Sequence, residues 1–462
     1  MSFVNYYNFY GFSFVFNFFF FFFSLVCFSF FFYKEVNNNI NSYIYVYMFI
    51  NLFFVDYSLE YFFLMFFSFF IIFYKYFLDK KPVIFMIFVF IFLSFYLIIN
   101  SFDFIVFLFS MELQAFLTFA LLMSNQSNVN SFLSVEGGVK FFILNGISSG
   151  FLLYSIALFY GLVGSINFYD FYIFSFFFNF YDTFFFNYAF FFFMVSLFFK
   201  LGVAPYHIWL PDIYGSLSYF IISFFSVFPK MSILFFIYKF FSTYFINLSS
   251  FFNFFFFISI FFSIIVGTVG SFSQNKFKYF FAYTSINASV FYLIGFTTGT
   301  VEGQVASLIY FSVYSVMNMV FFYLILNSST KIYFITDFSK LSLTYKFFFV
   351  FMFFSISGFP PFGGFWIKYM VFDSLVFNSY YSFYVIFALG SVLNMIYYLR
   401  LIKIISYDSY KIININFYNS FSSKQFVNNI NFFWGWGFIF TLFYYFLYSD
   451  YLSLFFINVI IL

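Results

Sequence analysis

The sequence predicts an all-α polytopic membrane protein of about fourteen transmembrane helices, a span and its connection taking roughly 30 residues. Three observations carry that prediction. Of the 462 residues, 65% are hydrophobic and only 7% are charged, against about 25% charged in soluble globular chains. Apolar runs of about 18 residues or more, each able to cross a bilayer as a helix, follow one another along the whole chain. No soluble fold hides 110 phenylalanines. A net charge of +3, dispersed along the chain, does not suggest nucleic acid as a partner.

Read in order, the apolar runs place spans near residues 8–32, 42–55, 59–78, 83–99, 102–124, 136–163 and 184–205. Further spans fall near 217–241, 251–271, 278–297, 305–326, 346–369, 375–402 and 431–457. Phenylalanine, tyrosine, isoleucine and asparagine, all with A/T-rich codons, are inflated, so the phenylalanine runs read as drift at lipid-facing positions in an A+T-biased genome, such as an organelle's. Cys27 is the only cysteine and leaves the redox compartment undecided. No charge occurs from Met1 to Tyr33. The first segment is therefore expected to be a mature transmembrane helix, not a signal or transit peptide.

Loop charges test this segmentation. Connections after odd-numbered spans hold Lys75, Lys80, Lys81, Lys276, Lys278, Lys331, Lys340, Arg400, Lys403, Lys411 and Lys424. Those after even-numbered spans hold Asp56, Glu60, Asp103, Asp170, Asp182 and Glu302, with no lysine or arginine. The positive-inside rule places the first set, and not the termini, in the matrix or cytoplasm.

Five of the six prolines cluster at Pro205 with Pro211, at Pro229, and at Pro360 with Pro361. Each place also has a lysine in an apolar segment: Lys200, Lys230 and Lys368. Proline breaks or kinks a helix, and the freed backbone is tolerated in a membrane only against protein or a water-filled cavity. Broken helices beside ionisable groups are a way of building ion sites.

Outside the loops the chain keeps Glu112, Glu136, Lys140, Lys200, Lys230, Lys239 and Lys368. A charge at a helix centre costs about 2.5–3.5 kcal/mol on insertion scales, so groups retained there need a reason. Glu136 and Lys239 lie near predicted ends, where snorkelling explains them as well as function does. Glu112, near mid-span, and Lys200, Lys230 and Lys368 point to function. Burial disfavours an ammonium and a nearby carboxylate favours it, so moving a Glu–Lys pair together or apart loads or releases a proton. Glu136 and Lys140 are spaced i,i+4 on one helix face, leaving Lys140 either a relay member or a structural partner. His207, the only histidine, is either a proton shuttle or a satisfied polar group. One histidine and one cysteine cannot ligate haem, zinc or a cluster, and no glycine-rich strand-to-helix loop holds a nucleotide.

FKLGVAPYHIWLPDIY followed by FFSVFPK resembles the signature of subunit 2 of NADH dehydrogenase, a family of antiporter-like membrane subunits of respiratory complex I. MELQAFL and EGGVKFFILNGISSGFLLYSIALFYGLVGSINF upstream, and KFKYFFAYTSI and GFPPFGGFWIKYMVF downstream, resemble further segments of that family in the same order, from about 105 to 375. The lysine at 368 distinguishes it from the sister subunit with a glutamate there.

The resemblance implies two inverted five-helix repeats, with broken helices near 200–211 and 358–364. It divides the chain into N-terminal helices at 1–80, a first repeat at 81–241, a second at 242–402, and a loop and final helix at 403–462. Glu112 and Lys200 correspond to the Glu–Lys pair of a first half-channel, Lys230 to the connecting lysine, Lys368 to the terminal lysine of the second, and Lys140 to the lysine of the intervening helix. The implied activity is proton translocation coupled to quinone reduction by other subunits, in the mitochondrial inner membrane. No cofactor is expected on this chain; NADH, FMN, iron–sulfur clusters and ubiquinone belong to partners. Those partners are other membrane-arm subunits, including homologous antiporter-like ones, together with membrane lipids. The alternative is a cation/proton antiporter subunit. The chain departs from the family at Gly215–Phe220, in place of a proline-containing loop, and at Ala288, where a histidine is common. Tyr283, Thr284 and Lys278 are the nearby polar substitutes.

Overall fold

The computed structural model describes residues 82–124, 131–177, 184–244, 250–328, 330–360, 362–378 and 380–407. The expected spans near 8–32, 42–55, 59–78 and 431–457 lie outside the described residues, as does Cys27. The chain divides into two compact units, Met1–Ser94 and Phe95–Leu462, and every contact described below lies within the second.

The described residues are helical almost throughout: α1 Pro82–Ile99, α2 Phe104–Ser124, α3 Ser131–Val163, α4 Phe168–Phe177, α5 Phe184–Leu201, α6 Trp209–Ser216 and α7 Tyr219–Tyr244 come first. They are followed by α8 Ser250–Ser273, α9 Phe277–Thr297, α10 Val301–Asn327, a 3-10 turn Ile335–Lys340, α11 Leu343–Ser357, α12 Gly363–Phe377 and α13 Tyr381–Tyr407. Eight of these are long and apolar enough to cross a membrane. In lipid each backbone group must be satisfied within its own segment, which only a helix does without a partner strand.

Burial sorts the helices. Over their most apolar stretches α7 and α9 are 94% buried and α10 is 83%, whereas α3 is 28% and α13 is 33%. Thus α7, α9 and α10 form the core, and the polar residues they carry face protein. Small residues allow the close approach that membrane helices use for association. A Cβ on Gly267 of α8 would meet that of Asn287 on α9 at 2.8 Å, and one on Gly295 of α9 would meet Ser307 of α10 at 2.6 Å.

Two backbone bridges recur in matching places. Before α2 and α4, Asp103 pairs with Asn167; Phe104 N–H donates to Ile166 O at 3.2 Å and Phe168 N–H to Phe102 O at 3.0 Å. Before α9 and the 3-10 turn, Lys276 pairs with Phe334; Phe277 N–H donates to Tyr333 O and Ile335 N–H to Asn275 O, both at 3.0 Å. The first bridge joins acid-bearing connections and the second joins lysine-bearing ones, so each joins connections of like charge.

The structure corrects several expected boundaries. Residues 168–177, between two expected spans, form α4, a ten-residue apolar helix too short to cross a bilayer. The expected spans 346–369 and 375–402 are α11, α12 and α13: the break within the first span leaves α12 running on to Phe377. Glu302 lies in the first turn of α10, where a carboxylate faces the positive end of the helix. The 3-10 turn is held by Asp337, whose carboxylate accepts from Tyr333 N–H at 3.0 Å, Phe334 N–H at 2.8 Å and Lys340 Nζ at 2.7 Å. Burial works against the charge on Asp337, but Lys340 and the two backbone donors outweigh it and hold the carboxyl below the usual range.

Candidate functional site

The first break separates α5 from α6. Gly202 leaves the helix at φ +73°, a conformation costly for any residue with a Cβ. The carbonyls freed at the end of α5 are taken up locally: Val203 N–H donates to Phe198 O at 3.0 Å, while Gly202 N–H and the Trp209 indole donate to Phe199 O at 3.1 and 2.9 Å. Lys200 stands in this last turn, half-buried, where the carbonyl end of a helix favours a cation. Half-buried Glu112 of α2 acts electrostatically on the Lys200 amine, although among the described ion pairs none joins the two. The structure therefore brings Glu112 and Lys200 within electrostatic reach but not into contact. His207 lies in the break itself, half-buried, with a buried Nδ1 that lacks a hydrogen-bond partner.

Lys140 is placed differently from the other lysines. Its Nζ meets Glu136 Oε1 at 2.8 Å and Asp212 Oδ2 at 3.1 Å, on a surface where all three side chains are 46% exposed. This favours the structural-partner reading of Lys140 and ties α3 to α6. Asp212 escaped the sequence reading, although the signal was present: a carboxylate in WLPDIY, just after a proline in an apolar stretch. The loop at Gly215–Phe220 is a two-residue joint, with Leu217 N–H donating to Ile213 O at 3.2 Å. Its Leu217 carbonyl accepts from Lys278. Lys239 is also accounted for, donating to Ile99 O at 3.4 Å and lying 4.3 Å from the centre of the Phe102 ring.

Lys230 is 2% exposed on α7. Pro229 before it has no N–H to donate to the preceding turn, and the Lys230 amine reaches Ser285 O of α9 at 3.5 Å. Lys368 is 4% exposed on α12. It reaches back across the second break, donating to Ser357 O at the end of α11 at 2.7 Å and lying 4.9 Å from the centre of the Phe291 ring. Gly358 turns the chain there at φ +79°, its N–H donating to Ser355 O at 3.1 Å. Both breaks thus set a lysine against the carbonyl end of a half-helix, from before the break at Lys200 and from after it at Lys368.

Between Lys230 and Lys368 lies a buried polar layer on α9, α10 and α13. Thr284, Ser285, Asn287, Asn318 and Asn394 are each at most 4% exposed, and Asn287 Nδ2 donates to the Tyr397 hydroxyl at 3.2 Å. Ala288, 4% exposed, carries no polar atom into this layer. Of the expected substitutes, Tyr283 packs on Gly270 of α8, Thr284 donates to Phe281 O of its own helix at 2.9 Å, and Lys278 is engaged at Leu217. Among the described residues no cluster of histidine, cysteine or carboxylates is arranged to hold a metal ion.

A helical membrane core crossed by buried amines, with two spans broken beside them, is the architecture of ion-translocating membrane proteins. Residues 101–394, more than half of the chain, match the family described as "NADH:quinone oxidoreductase/Mrp antiporter, TM", and the chain belongs to that family. It is 32% identical over 319 residues to the NADH-quinone oxidoreductase subunit N of Pelagibacter ubique, covering 68% of this chain and 66% of that one. It is 31% identical over 328 residues to the NADH-ubiquinone oxidoreductase chain 2 of Marchantia polymorpha, covering 68% and 65%. The matched part is thus a little under two thirds of the length of these relatives. Among solved structures, a chain of respiratory complex I from Thermus thermophilus aligns with a TM-score of 0.58 at 20% identity, covering 70% of this chain and 71% of that one. A chain of an archaeal membrane-bound sulfane sulfur reductase aligns with a TM-score of 0.69 at 18% identity, covering 81% and 74%. At these identities the two structures show the shared antiporter-like fold.

Proposed function

We propose that the chain is a proton-translocating membrane-arm subunit of NADH:ubiquinone oxidoreductase in the mitochondrial inner membrane, carrying no redox chemistry of its own. The observation that carries this reading is the series of amines at Lys200, Lys230 and Lys368, the last two almost fully buried and none in direct contact with a carboxylate among the described ion pairs. A desolvated amine without a fixed counter-charge gains or loses its proton when a charge approaches or withdraws. Glu112 supplies such a charge to Lys200, and the Ser357 carbonyl and Phe291 face supply weaker partners to Lys368. His207 is a further polar neighbour of the first break, and Lys140 orients α6 through Asp212. NADH, FMN, iron–sulfur clusters and ubiquinone belong in this reading to partner subunits, with other antiporter-like subunits and lipid as neighbours. The names of the two relatives support it.

The family description also names the Mrp antiporter, so the second reading is a cation/proton antiporter subunit outside a redox complex. Mass spectrometry of the native assembly separates them. Co-purification with a flavoprotein and iron–sulfur proteins is expected; finding only homologous antiporter-like chains contradicts the proposal.

A further inference from the structure

Along α10, one face carries Gln304, Ser307, Tyr310, Tyr314 and Asn318, all at most 5% exposed. α9 and α10 run antiparallel: Gly295 abuts Ser307, the Phe291 and Tyr310 rings lie 5.2 Å apart, and the Phe281 and Phe322 rings 4.6 Å apart. This register sets Tyr314 level with Ala288 and Asn318 level with Thr284. Lys230, on the Ser285 carbonyl, therefore stands at the Asn318 end of the stripe. Lys368, over Phe291, stands at the Tyr310 end. Eight residues of helix cover about 12 Å between those ends.

The groups within this interval differ in what they leave free. Thr284, Ser285 and Ser289 donate to carbonyls of their own helix, as do Ser312 and Ser315 on α10. Asn318 is 0% exposed, and both polar atoms of its carboxamide lack a hydrogen-bond partner. The Tyr314 hydroxyl lies close enough to that carboxamide to interact with it, short of the geometry of a hydrogen bond. The hydroxyls of Tyr292, Tyr310, Tyr397 and Tyr398 all lie within electrostatic reach of Tyr314. Leaving a buried amide unpartnered is costly, and a polar site of this kind is where a buried water makes its bonds.

We propose that Tyr314, with Asn318 beside it, is the proton-carrying link between Lys230 and Lys368, at the level where Ala288 leaves α9 without a polar group. The proposal rests on the proton-translocating reading above. For each proton leaving a Lys230 ammonium, the Tyr314 oxygen takes one proton through water held by Asn318 and gives up its own toward Lys368. One neutral amine is left, one ammonium is formed, and the phenol ends as it began. The exchange is reversible and involves no change of redox state.

The test compares Tyr314→Phe, Tyr314→His, Asn318→Leu and Lys230→Ala in the full assembled complex, reading protons moved per NADH oxidised in proteoliposomes and the amount of complex assembled. Tyr314→Phe keeps the ring and removes only the hydroxyl. It is expected to lower the ratio by the same factor as Lys230→Ala, while Tyr314→His, which again carries a proton, restores most of it. Asn318→Leu removes the unpartnered atoms, so it is expected to assemble as well as the parent and still lower the ratio, which keeps the test decisive if the tyrosine variants assemble poorly. An unchanged ratio in Tyr314→Phe or Asn318→Leu while Lys230→Ala lowers it overturns the link alone. Equal loss in Tyr314→His and Tyr314→Phe overturns proton carriage by residue 314. An unchanged ratio in all variants, Lys230→Ala included, overturns the translocation reading with it.

Discussion

At the scale of single residues, the lysines separate by what surrounds them. Lys140 has two carboxylates and an exposed setting; Lys230 and Lys368 are buried, against backbone carbonyls and, at Lys368, an aromatic face. Their placement in helices was readable from the sequence, because a lysine kept inside an apolar run is itself the signal. Which of them would be paired was not, since Asp212 is 72 positions from Lys140 and meets it only after α5 breaks. Asp212→Asn is accordingly expected to weaken the α3–α6 tie and lower the yield of folded protein with a modest effect on proton movement; loss of proton movement as complete as in Lys230→Ala contradicts the structural role. Asp337 offers a pH-dependent counterpart outside the membrane. Its carboxyl is held below the unfolded value of about 3.9, so its stabilisation is fully present above that pH and is lost as pH falls through the lower, folded value. Asp337→Asn should lower the thermal midpoint at neutral pH, with the difference from the parent closing in acid below about pH 4; a difference that persists there contradicts the assignment.

At the scale of elements, the breaks were readable and the short pieces were not. Proline beside lysine marked both broken helices, but the chain leaves α11 at Gly358 and re-enters a helix at Gly363, so α12 extends beyond the expected span end and α13 starts later. The sequence did not reveal α4, whose ten residues fall well short of the length a span needs. At the second break a left-handed residue meets a buried amine: a Cβ on Gly358 would lie 2.9 Å from Lys368 Cδ. Gly358→Ala therefore combines about 1–2 kcal/mol of backbone cost with displacement of the lysine. It is expected to lower both the amount of assembled complex and the protons moved per complex; measuring each separately checks this, and a variant normal in both contradicts the geometry.

At the scale of the whole molecule, the Asp103–Asn167 and Lys276–Phe334 bridges each join connections of like charge, in keeping with the expected alternation of acidic and basic loops. The sequence could not show which helices form the core, because mean hydropathy hardly distinguishes a protein-facing from a lipid-facing phenylalanine. Burial does so, setting α7, α9 and α10 at the centre and leaving rings such as Phe109, 66% exposed, at the periphery. On the proposed reading, protons pass along the amines of this core. The most direct measurement is the proton flux driven by NADH oxidation in proteoliposomes containing the assembled complex with Lys368→Ala, normalised to complex present and to electrons transferred. Protons per electron are expected to fall clearly with the complex still assembled; a parental ratio in that variant contradicts passage along these amines.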